Sequence, residues 1–226
     1  MEMYLITNNN MTSAEEMVKK CQKLNFDLDE SSMITTSNVL ARYMVTSGFN
    51  KKAYVIGSQQ LKKELETVGI AVVGHGPDTM IHALPEFVQK ELPNMDREVG
   101  AVVVGFDEHF CFPKLFKAVN YLRNPAVLFI ATNEDEKFDF PQFTFPDTGP
   151  IIAAITNVTG RKPVVAGKPS KIIAEIALAH ESHRDSRRFL MIGDRMNTDV
   201  LFGTNNDFQT LLVTETGTHS MKDTEF

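Results

Sequence analysis

Short apolar runs alternate with helix-length amphipathic stretches along the chain. The runs predict strands at Met3–Ile6, Ala53–Ile56, Ala71–Val73, Gly100–Val104, Val127–Ile130, Val164–Ala166, Phe189–Ile192 and Thr210–Val213. Several are unbroken rather than alternating, as in parallel sheets covered on both faces. Thr12-Ser13-Ala14-Glu15 has capping-box spacing, and Val18, Cys21 and Leu24 then recur on one helical face. Ser58-Gln59-Gln60-Leu61 opens a second helix that Gly69 ends, and Phe112–Leu122, Thr148–Val158 and Ser170–Ala179 complete the set. Strand and helix in repeated alternation mean α/β architecture. Breaks at Ser47-Gly48-Phe49-Asn50 and Thr159-Gly160-Arg161-Lys162-Pro163 bracket a middle section with its own alternation. The layout predicts a second α/β unit at 49–160 inserted into a first unit formed by 1–48 and 161–226.

Composition narrows the function. With 226 residues, 42% of them hydrophobic, the chain can bury a sizeable core. The net charge of −6 argues against nucleic acid, which needs clustered basic charge. The densest basic stretch, Arg184, Arg187 and Arg188, is short and reads as a solvated helix end. Two cysteines, Cys21 and Cys111, are too few for a disulfide framework or a zinc site. With no secretory pattern at the start and no membrane-length apolar run, the expected location is the cytoplasm.

Three motifs follow apolar runs. Leu5-Ile6-Thr7-Asn8-Asn9 places a hydroxyl and two amides past a strand's carboxyl end, where open α/β sheets bind ligands. They can donate to phosphate oxygens, or form a polar turn capping the next helix. Val164-Val165-Ala166-Gly167-Lys168-Pro169-Ser170 sets an ammonium at a helix start, where both charges favour an anion; a surface lysine is the alternative. It is no P-loop, since no glycine stands five residues before Gly167 and Pro169 occupies the Ser/Thr position. Phe189-Leu190-Met191-Ile192-Gly193-Asp194-Arg195-Met196-Asn197-Thr198-Asp199 delivers Asp194 at a strand tip, with Asp199 five residues on. Paired carboxylates there suit magnesium (Mg2+), or an N-capping aspartate with an exposed partner. A hydroxyl, a lysine and a carboxylate pair are what phosphoryl transfer needs, because its catalysis is mostly positioning and charge neutralisation.

Thr7-Asn8-Asn9, Gly167-Lys168-Pro169-Ser170 and Gly193-Asp194-Arg195-x-x-Thr198-Asp199 together resemble the second, third and fourth motifs of the haloacid dehalogenase superfamily. Val104-Gly105-Phe106-Asp107-Glu108-His109-Phe110, Tyr121-Leu122-Arg123-Asn124-Pro125 and Thr148-Gly149 narrow the resemblance to its C2-capped phosphoglycolate phosphatase, pyridoxal phosphatase (chronophin) and 4-nitrophenylphosphatase group. The resemblance implies a Rossmann-like parallel-sheet core with an inserted α/β cap, and hydrolysis of a small phosphorylated metabolite through an aspartyl phosphate. It implies that Thr7, Asn8 and Asn9 hold the phosphoryl group and that Lys168 neutralises it. Asp194 would bind Mg2+ directly, with Asp199 in support, and His109 would reach the substrate from the cap. A homodimer through the cap is expected.

The family's first motif, a strand running into Asp-x-Asp-Gly, is expected before Thr7, where six residues stand. The core therefore reads as incomplete and the chain as a truncated form, predicted inactive for lack of the nucleophilic aspartate and marginally folded. A pseudophosphatase that binds phosphometabolites or a partner subunit is the second reading. Phe26-Asp27-Leu28-Asp29-Glu30 contains Asp-x-Asp but follows a helix and lacks the glycine, so it is read as a connection to a helix starting near Thr36-Ser37. Relatives continue past Thr216-Gly217 with a further helix and strand. Asp147 and Asp207 stand where relatives carry glycine, which would strain the backbone wherever φ is positive.

Overall fold

The computed structural model describes residues 2–139, 142–177, 179 and 185–214. The chain starts with β1 (Leu5–Thr7), α1 (Ala14–Lys23), β2 (Met33–Thr35) and α2 (Thr36–Thr46). The middle runs through β3 (Lys52–Ile56), α3 (Gln59–Thr67), β4 (Val72–Val73), α4 (Leu84–Asn94), β5 (Val99–Val104), α5 (Phe112–Leu122) and β6 (Leu128–Ala131). It continues with the hairpin β7 (Lys137–Asp139) and β8 (Thr144–Pro146), then α6 (Thr148–Thr159). β9 (Val164–Val165), α7 (Lys171–Ala177), β10 (Leu190–Gly193), α8 (Leu201–Asn205) and β11 (Gln209–Leu212) follow. Part of the predicted 170–179 helix, Arg184 of the basic stretch and the Thr216-Gly217 region lie outside the described residues.

The largest sheet has five parallel strands in the order β4-β3-β5-β6-β9. Side chains alternate across it, so its two faces build two cores. Ala53, Val55, Ala101, Val103 and Ile130 pack under Leu40 and Met44 of α2, Leu61 and Leu65 of α3, Ile173 of α7 and Phe202 of α8. Tyr54, Ile56, Val102, Val104 and Phe129 face Ala118 and Leu122 of α5 and Ile151, Ile152 and Ile155 of α6. Helices on both faces explain the unbroken apolar runs. Because β9 joins this sheet and α2 and α7 cover it, backbone pairing and packing continue across positions 48 and 160.

The remaining core strands form two separate parallel pairs, β1 with β2 and β10 with β11. β1 and β10 each have a single strand neighbour among the described residues. On the second pair Leu190, Ile192 and Leu211 are 53%, 55% and 51% exposed. One apolar face of a parallel pair is thus left open, unlike the covered five-stranded sheet.

Several local details differ from the sequence-based expectations. The capping box lies one residue later than predicted: Ser13 Oγ accepts from Glu16 N, and Glu16 Oε2 accepts from Ser13 N. Thr12 N instead donates to Asn9 Oδ1. Asp29 caps a short 3-10 turn, accepting from Ser31 and Ser32, so the Asp-x-Asp stretch is a connection whose two aspartates are exposed while Leu28 packs inward. Asp147 adopts φ −100° and is unstrained as the cap of α6, whereas Asp207 has φ 56° in the left-handed region.

Candidate active site

The site collects at the carboxyl ends of β1, β9 and β10. Lys168 follows β9 through a tight turn. A Cβ on Gly167 would lie 2.5 Å from Thr132 O and 2.7 Å from Asn8 Oδ1, so only glycine lets the turn pass. Asn8, just past β1, clasps the Lys168 backbone from both sides: its Oδ1 accepts from Lys168 N at 2.8 Å, and its Nδ2 donates to Lys168 O at 3.1 Å. So held, the buried Lys168 sends Nζ to the Ile6 carbonyl at 3.0 Å and to Asp199 Oδ1 at 2.6 Å.

Asp199 reaches that position because the chain after β10 winds through a wide π-type turn, Met196–Val200. Such turns insert a residue and re-aim side chains. Asp199 is buried, and its Oδ2 accepts from the backbone N–H groups of Asp194 and Arg195 at 3.0 and 3.1 Å. Gly193 leaves room for it, since a Cβ there would lie 2.3 Å from Asp199 Oδ2. A continuous chain of bonds therefore links the ends of β1 and β10: Ile6 O, Lys168 Nζ, Asp199, Asp194 N.

The predicted residues have different settings. Lys168, Asp199 and Asp194 share this network. Thr7 is adjacent to Ile6, and its Oγ1 accepts from Asn9 N at 3.1 Å, leaving its O–H free to donate elsewhere. The Asn9 amide accepts from Met11 N and Thr12 N, closing the turn into α1. The Asn8 amide is spent on Lys168 and Asp135. His109 stands apart: its N–H donates to Asp107 Oδ1, and its ring approaches Glu108 at 3.7 Å. That loop is pinned from below by a fully buried ion pair between Lys114 and Asp107.

Residues 1–71 match the haloacid dehalogenase-like hydrolase family, and residues 165–226 match the HAD-hydrolase-like family. The chain is 34% identical to glycerol-3-phosphate phosphatase of Rattus norvegicus, over 96% of its own length and 70% of that protein's. It belongs to the haloacid dehalogenase-like hydrolases. Phosphoglycolate phosphatase 1A of Arabidopsis thaliana, a chloroplastic protein, is 36% identical over 92% of the chain and 58% of that protein. The chain spans 40% of another relative, a Caenorhabditis elegans protein named for NipSnap. The 4-nitrophenylphosphatase structure from Thermotoga maritima superposes with a TM-score of 0.78 at 28% identity, covering 97% of this chain and 75% of that one. A glycerol phosphate phosphatase from Mycobacterium tuberculosis, solved in complex with magnesium, gives 0.78 at 25% identity over 98% of this chain and 60% of that one.

The polar cluster beyond β6 was the feature the motifs did not reveal. Asp135 Oδ2 accepts from Asn8 Nδ2 and from Asn133 Nδ2, both at 3.0 Å, and its Oδ1 accepts from Arg195 Nη1 at 2.9 Å. Asn133 also donates to Asp147 Oδ2, and Asn10 Nδ2 donates to Thr132 Oγ1 and Asn133 Oδ1. Burial, aided by the nearby Asp135 charge, holds the Asp147 carboxyl above its ordinary range. The signal was available: Thr132-Asn133-Glu134-Asp135 follows an apolar strand just as Thr7-Asn8-Asn9 does.

The donor set fits a magnesium ion in part. No group of three or more His, Cys, Asp or Glu among the described residues is arranged to hold a metal. Asp194 is half-buried, and its carboxylate accepts no hydrogen bond from a described residue. Asp199 is engaged on both oxygens and suits a supporting role. One free carboxylate matches an ion that keeps several waters and takes phosphate oxygens as ligands. No helix among the described residues is long and apolar enough to cross a membrane.

Proposed function

We propose that these residues form the phosphate- and metal-binding body of a phosphomonoester hydrolase acting on a small phosphometabolite. Its substrate would resemble 2-phosphoglycolate, with pyridoxal 5′-phosphate as the alternative and 4-nitrophenyl phosphate as an artificial substrate. The observation carrying this reading is the Lys168 ammonium, fixed between Ile6 O and Asp199 Oδ1, with Asp199 in turn bound by the backbone N–H of the half-buried Asp194. Relatives named as phosphoglycolate and glycerol-3-phosphate phosphatases support the substrate class.

In this reading Thr7 donates its hydroxyl to a phosphoryl oxygen, with Asn8 and Asn9 shaping the turn that presents it. Lys168 neutralises equatorial charge, and His109 meets the substrate from the 49–160 section, which acts as the cap. Mg2+ would be held directly by Asp194 with Asp199 in support, and when bound it supplies charge neutralisation for the phosphoryl oxygens. The nucleophile is a carboxylate outside the described residues. Its oxygen bonds to phosphorus while the ester oxygen leaves with a proton from a neighbouring carboxylic acid. Water then cleaves the aspartyl phosphate, releasing orthophosphate and regenerating the carboxylate. The protein would work in the cytoplasm as a homodimer joined through the cap.

Purified chain is given 4-nitrophenyl phosphate, 2-phosphoglycolate, glycerol 3-phosphate and pyridoxal 5′-phosphate, with magnesium. We expect magnesium-dependent orthophosphate binding, and no turnover by the 226 residues alone. Robust hydrolysis abolished by Asp194→Asn would place the nucleophile among them and overturn the expectation of an inactive chain.

A further inference from the structure

We propose that Asp135 is a positioning residue of this site, its buried carboxylate orienting the Asn8 amide that aims Lys168 and anchoring Arg195 beside Asp194. The inference rests on the phosphomonoesterase reading and extends it to a residue outside the family motifs.

Asp135 is 7% exposed and touches three parts of the chain at once. From the loop after β6 it accepts from Asn8 past β1, from Arg195 past β10 and from Asn133 in its own loop. The decisive contact is with Asn8. An amide can present either its oxygen or its nitrogen in a given direction, and a carboxylate only accepts. Asp135 therefore draws Nδ2 toward itself, and this turns Oδ1 to the Lys168 N–H. With the amide reversed, Nδ2 would meet the Lys168 N–H and Oδ1 would meet the Lys168 carbonyl, like facing like at both contacts. The carboxylate thus reinforces the one amide orientation that the Lys168 backbone also requires, and holds the turn more firmly. The other oxygen works on the metal side. Arg195 Nη1 is fixed on Asp135 Oδ1, while the Arg195 and Asp194 backbone N–H groups both bind Asp199 Oδ2.

Asp135→Asn tests this with little change of shape, because it removes the charge that holds the Asn8 amide and Arg195 and leaves one acceptor oxygen where there were two. Orthophosphate binding to the 226-residue chain is measured by calorimetry in magnesium chloride for the unsubstituted protein, Asp135→Asn, Asn8→Ala and the double variant. Removing an outer partner of a binding group typically costs about 10- to 100-fold in affinity, and that loss is expected for Asp135→Asn. Asp135 acts in part through Asn8, so the double variant should lose less than the sum of the two single losses, a non-additivity that general destabilisation would not produce. Should Asp135→Asn fail to fold by circular dichroism, Asp135→Glu, which keeps the charge but displaces it, takes its place with the same two outcomes. Affinity within about twofold of the unsubstituted chain, or fully additive losses, would overturn the inference. Folded but unsubstituted chain that binds no orthophosphate would count against the phosphomonoesterase reading as well.

Discussion

Lys168 and Asp199 form a buried ion pair, with Nζ 2.6 Å from Oδ1 and side chains 10% and 7% exposed. Each member is also tied to backbone, the ammonium to Ile6 O and the carboxylate to two N–H groups. Burying both charges is costly, and the additional hydrogen bonds offset part of that cost. A phosphoryl group entering beside Thr7 would give the ammonium a further anionic partner.

Removing the ammonium strands Asp199. Lys168→Met is expected to lower stability by about 3–5 kcal/mol, the usual cost of breaking a buried pair from one side. Orthophosphate binding should weaken by roughly 10- to 100-fold, since charge-assisted hydrogen bonds contribute about 1.5–3 kcal/mol. Urea unfolding and calorimetry separate the two effects; unchanged phosphate affinity in a folded variant would remove Lys168 from the site.

The Lys114–Asp107 pair under the His109 loop gives a second test. Lys114→Met leaves Asp107 buried without its cation, and urea unfolding should register a loss of about 3–5 kcal/mol. Replacing both residues with leucine should recover most of it, because the uncompensated charge is gone. The His109 N–H, now without Asp107 Oδ1, should then exchange with solvent faster.

Asp147 sets a pH dependence. Its folded carboxyl lies above the ordinary value of 3.8, chiefly because burial opposes ionisation. The folded state thus favours the protonated form. That contribution is fully present below the unfolded value and is lost as pH rises through the folded one. Asp147→Asn, which keeps an acceptor for Thr148 N, should be more stable than the parent at pH 7, and the advantage should shrink at acid pH. Urea midpoints across pH measure it; a variant less stable at pH 7 would reverse the sign.

Gly149 at the start of α6 presses on the loop that carries Asp135. A Cβ there would lie 2.9 Å from both Glu134 O and Asp135 O, and backbone cannot move aside cheaply. Gly149→Ala is expected to cost about 1–3 kcal/mol by overpacking. Thermal melting checks this, and an unshifted midpoint would mean that the loop yields.

The α/β alternation was legible because the strands of the five-stranded sheet are covered on both faces and read as apolar blocks. β2 was not, since Met33–Thr35 is too short for any periodicity, and it is fixed by pairing with β1. The β7–β8 hairpin escaped as well: Lys137–Asp139 shows little apolar patterning. The strand-end rule singled out Lys168, Asp194 and Asp199, which the structure joins in one hydrogen-bond network, and the π-type turn that links the two aspartates was not predictable from spacing. Asn8 illustrates a further limit: its residue type pointed to phosphate, whereas its amide is used by Lys168 and Asp135. Asp135 lay beyond the motifs, and only the folding of β6 against β9 brings it to them.

The most direct test is a crystal structure of the chain grown with magnesium and orthophosphate. The account predicts one anion bound by Thr7 Oγ1 and Lys168 Nζ, with a cation on the Asp194 carboxylate. An anion bound elsewhere, or Thr7, Lys168 and Asp194 directed into separate spaces with no shared ligand, would contradict it.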